Sequence, residues 1–174
     1  MKNTFFLIII VAILTCPLGV LSSDGFSVDH DYSKIKCVRV VNGEVLILET
    51  GERVRLIGLD VPESFPNTKV YRDARIKGQP PAKIIEQGKV AVKYINGLIA
   101  NEYVRLEFDV KREDKYGRLL AYVYLADGTF INAHIVEQGY SNITTLPPNL
   151  AHVELFKDLY KQARKKKFGI WAIQ

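Results

Sequence analysis

Carboxylates and arginines at the ends of short apolar segments are the side chains of this sequence best suited to chemistry. Glu44 follows an Asn-Gly turn, Arg55 lies in the next apolar segment, and Asp60 and Glu63 stand three residues apart across a proline. Arg118 ends a charged turn further along the chain. Carboxylate oxygens suit a hard cation such as Ca²⁺, and a guanidinium matches phosphate oxygens in pairs. The set predicts a site for a cation and a phosphate ester, with one acid left to act on water.

Each of these stretches also has a purely structural explanation. Asp, Asn and Gly are ordinary turn residues, and arginines on an exposed strand face often contact only solvent. The combination is harder to explain in this way, because Glu44 and Asp60 are predicted at the ends of neighbouring strands and can therefore converge.

The periodicity of apolar residues predicts the elements that hold these side chains. Five segments alternate as strands do: 34–41, 44–49, 53–59, 103–110 and 118–125. Three segments have helical spacing: 82–101, 131–138 and a last one capped by Asn149. The order predicts an α+β fold, a five-stranded Greek-key OB-type β-barrel with three packed helices.

The connection at 64–81 is long, mostly polar and contains Pro66, Pro80 and Pro81. We predict that it is a loop, and long loops in small domains are usually functional or mobile. It flanks the acidic stretch, so it is placed to shape access to the site.

The first 22 residues differ from the rest of the chain. Lys2 precedes an almost entirely apolar run over 5–20, which is typical of a secretory signal peptide. We predict a signal peptide at 1–22, a flexible leader at 23–33 and one domain at 34–174, secreted to the extracellular space or the periplasm. The alternative is an uncleaved membrane anchor; lipidation at Cys16 is less favoured, because the larger Thr15 precedes it.

Composition limits the remaining chemistry. The 24 Lys and Arg exceed the 19 Asp and Glu to give +5, which allows a polyanionic partner without requiring one. The basic run at 164–167 also fits a solvated helix end. Cys37 is the only cysteine after residue 22, so we predict a buried thiol without a disulfide, and no zinc site.

Four motifs follow one another in an order typical of a known family. They are VVNGE at 40–44, RLIGLDVPE at 55–63, DKYGRLLAY at 114–122 and GIW at 169–171. Together they resemble the staphylococcal nuclease (thermonuclease) family over about 35–171, and the second and third motifs are highly specific in combination.

The resemblance implies roles for five residues. Arg55 and Arg118 match arginines that bind the scissile phosphate and stabilise its charge in the transition state. Glu63 matches the glutamate that positions or deprotonates the attacking water. Lys115 and Tyr116 match residues that line the nucleotide phosphate pocket.

The resemblance also implies a Ca²⁺ site. Asp60 and the backbone carbonyl of Val61 match metal ligands, and Glu44 falls where the family has an aspartate. The family's Asp-Gly-Asp-Thr begins here with Asn42 and ends with Val45. Glu44 keeps the carboxylate with roughly 1.5 Å more reach, so we expect altered metal geometry and lowered, not lost, activity.

The function implied is an exported, calcium-dependent nuclease that hydrolyses DNA and/or RNA and leaves 3′-phosphate ends. Two alternatives stay open: an OB barrel that binds nucleic acid without cutting it, and a structural or protein-interaction barrel at the cell surface. Arg55, Glu63 and Arg118 together favour the enzyme, because a pure binder has no need of the acid. We expect a monomer without a stable protein partner, in contact with a membrane only through an uncleaved or lipidated N-terminal segment.

Overall fold

Five strands close into a barrel in the protein, which the computed structural model describes from residue 30 to residue 173. The strands are β1 Ile35–Val40, β2 Val45–Leu48, β3 Arg53–Leu56, β4 Leu59–Asp60, β5 Tyr103–Glu113, β6 Leu119–Leu125 and β7 Asn142–Ile143. Around the barrel the order is β1, β2, β3, β6 and β5, which closes on β1. Only the β3–β6 pair within it is parallel. The short strands β4 and β7 form a separate two-stranded sheet.

The helices pack outside the barrel. They are α1 Thr68–Lys77, α2 Pro81–Ile99, α3 Ile131–Glu137 and α4 Val153–Lys166, followed by a 3₁₀ turn at Gly169–Ala172. The predicted α+β fold with a five-stranded OB-type barrel is confirmed, and α2, α3 and α4 are the three predicted helices.

Helix α1 corrects the prediction of a continuous loop at 64–81. The Asn67 side chain accepts a hydrogen bond from the backbone N–H of Val70 at 3.0 Å and caps the helix, and Gly78 ends it at φ 62°. Val70 and Ala74 are buried against Ile84 of α2. The prolines on either side favoured a loop, but Asn before the helix and Gly after it are ordinary start and stop signals.

Two smaller predictions were wrong. The alternation over 103–110 puts Val104, Leu106, Phe108 and Val110 on the inward face, but Val110 is 73% exposed. The pairing of β5 with β6 shifts register beyond Phe108, and the end of β5 leaves the core. Asn149 does not cap the last helix, which begins at Val153. Its buried side chain instead bonds the backbone of Lys111 at 2.7 and 2.8 Å.

The predicted signal peptide at 1–22 lies outside the described residues, as do residues 23–29 of the predicted leader. The end of that leader contacts the domain: the carbonyl of Tyr32 accepts from Leu106 N–H at 2.9 Å, and its ring meets Phe108 edge-on. Between residues 30 and 173, none of the helices has the length and apolar character needed to span a membrane. Cys37 is buried, as predicted, and burial raises the pKa of its thiol to about 11.

Candidate active site

A tight turn places Glu44 beside the chain that leaves β4. Gly43 adopts φ 84°, and a Cβ added there would lie 2.7 Å from Cγ1 of Val61, so only glycine allows this approach. The carbonyl of Glu44 accepts a hydrogen bond from Leu56 N–H at 2.9 Å. The acidic turn and the acidic exit of β4 are therefore neighbours, as predicted.

Glu44 and Arg55 form a largely buried ion pair. Nη1 of Arg55 donates to Oε1 of Glu44, and Nη2 donates to the carbonyl of Leu59 at 3.5 Å. The other carboxylate oxygen of Glu44, Oε2, is buried and has no hydrogen-bond partner within residues 30–173. A buried carboxylate oxygen without a partner is costly, so this oxygen is available to a cation.

The β4–β7 sheet fixes the backbone of Asp60. Its N–H donates to Oγ of Ser141 at 3.0 Å, and its carbonyl accepts from Nδ2 of Asn142 at 3.2 Å. The side chain of Asp60 takes no part in these bonds and remains 34% exposed. Its carboxylate is consequently held at the edge of the site.

The ammonium of Lys69 lies among the predicted metal ligands. Nζ is 2.8 Å from Oδ1 of Asp60, 3.1 Å from the carbonyl oxygen of Val61 and 3.6 Å from Oε1 of Glu63. Burial works against the charged form of Lys69. The hydrogen bond and charge of Asp60, with the charges of Glu44 and Glu63, outweigh burial and raise the pKa of the ammonium. Two carboxylates and one backbone carbonyl therefore surround one cationic position, and the charge of Glu44 adds to their field.

Glu63 is positioned by the close approach of α2. A Cβ at Gly88 would lie 2.2 Å from the carbonyl oxygen of Glu63, so the helix can pack on this backbone only because residue 88 is glycine. The side chain of Glu63 is 11% exposed. The backbone of Glu63 is therefore fixed against α2, and its carboxylate lies largely buried near Asp60 and Lys69.

Arg118 immediately precedes β6, the strand next to that of Arg55. The parallel ladder pairs Arg55 with Leu120, two residues after Arg118, so strand spacing and rise put the two arginine Cα atoms about 8 Å apart. Nε and Nη2 of Arg118 bind Oδ2 of Asp114 at 2.7 and 2.6 Å. Burial opposes ionisation of Asp114, but the hydrogen bonds and charge of Arg118 lower the pKa of this carboxyl below its usual value.

Lys115 and Tyr116 lie in the exposed turn before β6. The ring centroid of Tyr116 is 5.2 Å from Cζ of Arg118 and 5.0 Å from Nζ of Lys115. Tyr116 is 70% exposed. The turn thus presents an aromatic face and one ammonium beside Arg118, which suits a nucleotide phosphate.

Comparison with known proteins agrees with this arrangement. The sequence model of a family described as staphylococcal nuclease homologue matches residues 53–173. The chain belongs to the staphylococcal nuclease family. As a member of that family it is a nuclease, and so a hydrolase. The matched region includes Arg55, Asp60, Glu63 and Arg118, whereas Glu44 precedes it.

Three relatives illustrate the range of similarity. A thermonuclease of Staphylococcus intermedius is 35% identical over 177 residues, 97% of this chain and 96% of the relative. A thermonuclease of Staphylococcus hyicus is 31% identical over 180 residues, 98% and 97% of the two chains. An SPbeta prophage-derived endonuclease of Bacillus subtilis is 32% identical over 149 residues, 84% of this chain and 42% of the relative.

In the protein described here, the oxygen atoms near Asp60 fit a hard cation both in type and in position. Glu44 offers its buried Oε2, and Asp60 and the Val61 carbonyl already share one cationic neighbour at 2.8 and 3.1 Å. Among residues 30–173 there is no group of three or more His, Cys, Asp or Glu side chains gathered closely enough to hold a metal ion. A cation bound here would take the place of the Lys69 ammonium. Its ligands would be two carboxylates, one backbone carbonyl and water.

Sequence reasoning missed three residues of this nuclease site. Lys69 lies in the segment that we predicted to be a loop, and no motif marks it. Asp114 was within a quoted motif, and its spacing of four from Arg118 could have indicated the ion pair. Gly88 falls on the apolar stripe of the predicted helix at 82–101, and nothing in the spacing explains a glycine there; the contact with the Glu63 backbone does.

Proposed function

We propose that this nuclease is calcium-dependent, cleaves DNA and/or RNA, and leaves 3′-phosphate ends. The observation that carries the proposal is that Asp60, Glu63 and the Val61 carbonyl surround one cationic position, while Glu44 pairs with Arg55 and keeps a buried oxygen that is free among the described residues. The names of the staphylococcal and Bacillus relatives, thermonuclease and endonuclease, support the same activity.

Two arginines would bind the scissile phosphate. Asp114 engages Nε and Nη2 of Arg118, which orients the guanidinium and leaves Nη1 without a hydrogen-bond partner in the described part of the chain. Arg55 gives up part of its contact with Glu44 when a phosphate arrives. Both guanidinium groups then stabilise the additional negative charge that develops on the phosphate oxygens in the transition state.

Glu63 is the group that acts on water. Its carboxylate accepts a proton as the water oxygen forms a bond to phosphorus, and the bond from phosphorus to the 5′ oxygen breaks. The 5′ oxygen takes up a proton from solvent water and leaves as a hydroxyl, and the phosphate stays on the 3′ side. Lys115 and Tyr116 would contact the nucleotide next to this phosphate, with Tyr116 offering a ring face.

The residues that would hold Ca²⁺ are Glu44, Asp60 and Val61, the last through its backbone carbonyl. Their oxygens are the ligand type that this cation prefers. Bound Ca²⁺ supplies positive charge next to the phosphate and the carboxylates that surround it.

A cleavage assay with end-group analysis tests the proposal. We expect the purified protein to fragment denatured DNA with Ca²⁺ and not with EDTA, and the fragments to support polymerase extension only after phosphatase treatment. DNA that is retarded in a gel but intact would support the binding barrel instead. DNA that is neither cut nor retarded would support the structural barrel.

Export is a separate part of the proposal. It is supported by the positive start at Lys2 and the apolar run over 5–20. We expect mass spectrometry of protein recovered from the medium or periplasm to show a chain that begins near residue 23, and light scattering to show a monomer. Full-length protein in the membrane fraction would favour the anchored alternative.

A further inference from the structure

Lys69 makes the contacts that a metal ion would make at this site. Its Nζ contacts one carboxylate oxygen of Asp60 at 2.8 Å and the Val61 carbonyl oxygen at 3.1 Å, and Glu63 lies 3.6 Å away. The side chain is 23% exposed. These partners are two predicted metal ligands and the predicted base, whereas an ordinary surface lysine would have at most one carboxylate.

Helix α1 presents this lysine from outside the barrel. Lys69 is the second residue of α1, two positions after the cap Asn67. Val70 and Ala74 of the same helix are buried against Ile84 of α2, in a small cluster separate from the barrel core. The lysine is thus delivered by a segment whose packing is independent of the strands that carry Glu44 and Asp60.

A lysine ammonium and a divalent cation cannot both use these oxygens. Calcium–oxygen distances are about 2.3–2.6 Å, so a calcium ion bound to Asp60 and Val61 would overlap the observed position of Nζ. The two positive charges would also repel each other at that separation. Binding of the metal therefore requires the side chain of Lys69 to leave.

We propose that Lys69 is an internal competitor for the metal, which occupies the cation position in the metal-free protein and sets the calcium concentration at which the site fills. This inference rests on the proposed calcium dependence. In the metal-free protein the ammonium reduces repulsion among Glu44, Asp60 and Glu63. The apparent calcium affinity equals the intrinsic affinity multiplied by the fraction of molecules in which Lys69 has left the site.

Calcium titration by calorimetry tests the competition directly. Lys69→Met keeps an unbranched side chain of nearly the same length and removes its charge. We expect its dissociation constant for Ca²⁺ to be at least about tenfold smaller than that of the unaltered protein, because a half-buried ion pair no longer has to be broken. Lys77→Met is the matched control, since Lys77 is exposed on the same helix and has no carboxylate partner within residues 30–173. An unchanged or larger constant in Lys69→Met would overturn the inference.

A second measurement uses the unaltered protein and does not depend on the folding of a variant. An amine-acylating reagent followed by mass spectrometry reports how accessible each lysine is. We expect saturating Ca²⁺ to increase the acylation rate of Lys69 several-fold and to leave that of Lys77 unchanged. Equal or slower acylation of Lys69 with Ca²⁺ would show that the ammonium stays in place, which contradicts the inference.

The two proposals can fail separately. If the protein cuts DNA with Ca²⁺ but Lys69→Met binds Ca²⁺ with unchanged affinity, the Lys69 inference fails and the proposed function stands. If Lys69→Met binds Ca²⁺ more tightly but neither protein cuts nucleic acid, the Lys69 inference stands and the proposed function fails. If neither protein binds Ca²⁺, the inference and the calcium dependence both fail.

Discussion

The carboxylate of Glu44 and the guanidinium of Arg55 form an ion pair. The sequence predicts a different partner for each: a metal ion for Glu44 and the substrate phosphate for Arg55. Only one oxygen of Glu44 is used, and the other is buried without a partner in the described residues. The same acid can therefore position Arg55 and bind a cation, which couples the two parts of the site.

Glu44→Asp should leave activity unchanged or raise it. The shorter side chain keeps the charge but loses about 1.5 Å of reach, so it releases Arg55 for the phosphate. Steady-state kinetics at saturating Ca²⁺ would measure kcat and KM of this variant. Glu44→Gln is the comparison: it removes the charge and should bind Ca²⁺ more weakly. A large loss of kcat in Glu44→Asp would mean that the site has adapted to the longer side chain.

Arg118→Ala should lower kcat/KM at least about 100-fold, because one donor to the developing phosphate charge is removed. Asp114→Asn should have a smaller effect, since the guanidinium remains but its orientation by Oδ2 is lost. Circular dichroism should show both variants folded. Near-native cleavage by Arg118→Ala would remove this residue from the mechanism.

Glu63→Gln should reduce cleavage by several orders of magnitude while substrate binding is retained, because the amide cannot accept the proton of the attacking water. General-base catalysis contributes about 100-fold to 10,000-fold. Single-turnover kinetics separate the chemical step from binding. A variant that keeps the rate of the chemical step would show that another group activates the water.

Gly88→Ala should destabilise the protein by about 1–3 kcal/mol and lower its activity. Its Cβ would meet the Glu63 carbonyl oxygen at 2.2 Å, so α2 must shift and carry the base with it. Gly97→Ala on the same helix is the matched control: its Cβ would meet nothing within 4 Å, and it should stabilise the protein by up to about 1 kcal/mol. Urea unfolding measures both. Equal effects of the two substitutions would contradict the packing argument.

Asp109 should contribute to the loss of stability in acid. Burial opposes its ionisation, but hydrogen bonds from the backbone of Ala151 and Val110 and from the Tyr122 hydroxyl lower its pKa. Its contribution is therefore present above the usual Asp pKa of about 3.9 and is lost as pH falls through the lower folded pKa. Urea unfolding from pH 7 to pH 3 should show a smaller acid loss for Asp109→Asn than for the exposed control Asp158→Asn. An identical pH dependence would contradict the assignment.

The barrel could be predicted because its strands alternate clearly and its turns have turn residues. The hairpin glycine at 43 and the parallel register of β3 with β6 bring Arg55 close to Glu44 and Arg118; the sequence predicted only that Glu44 and Asp60 converge. Alternation failed at Val110, because periodicity cannot tell how far a strand extends beyond the core that it covers.

The position of Lys69 could not be predicted in the same way. Helix α1 has only two buried residues, Val70 and Ala74, which is too short a stripe to be recognised by spacing. The contact of Lys69 with Asp60 depends on how α1 docks onto α2, a tertiary arrangement that no local pattern encodes. The contact of the Lys69 ammonium with the carboxylate of Asp60 can therefore be seen only in the folded structure.

A crystal structure of Glu63→Gln with Ca²⁺ and a short deoxyoligonucleotide tests the central claim most directly. We expect the calcium ion between Glu44, Asp60 and the Val61 carbonyl, with one phosphate bound by Arg55 and Arg118. An oligonucleotide bound elsewhere on the barrel, with no calcium ion at these oxygens, would contradict the account.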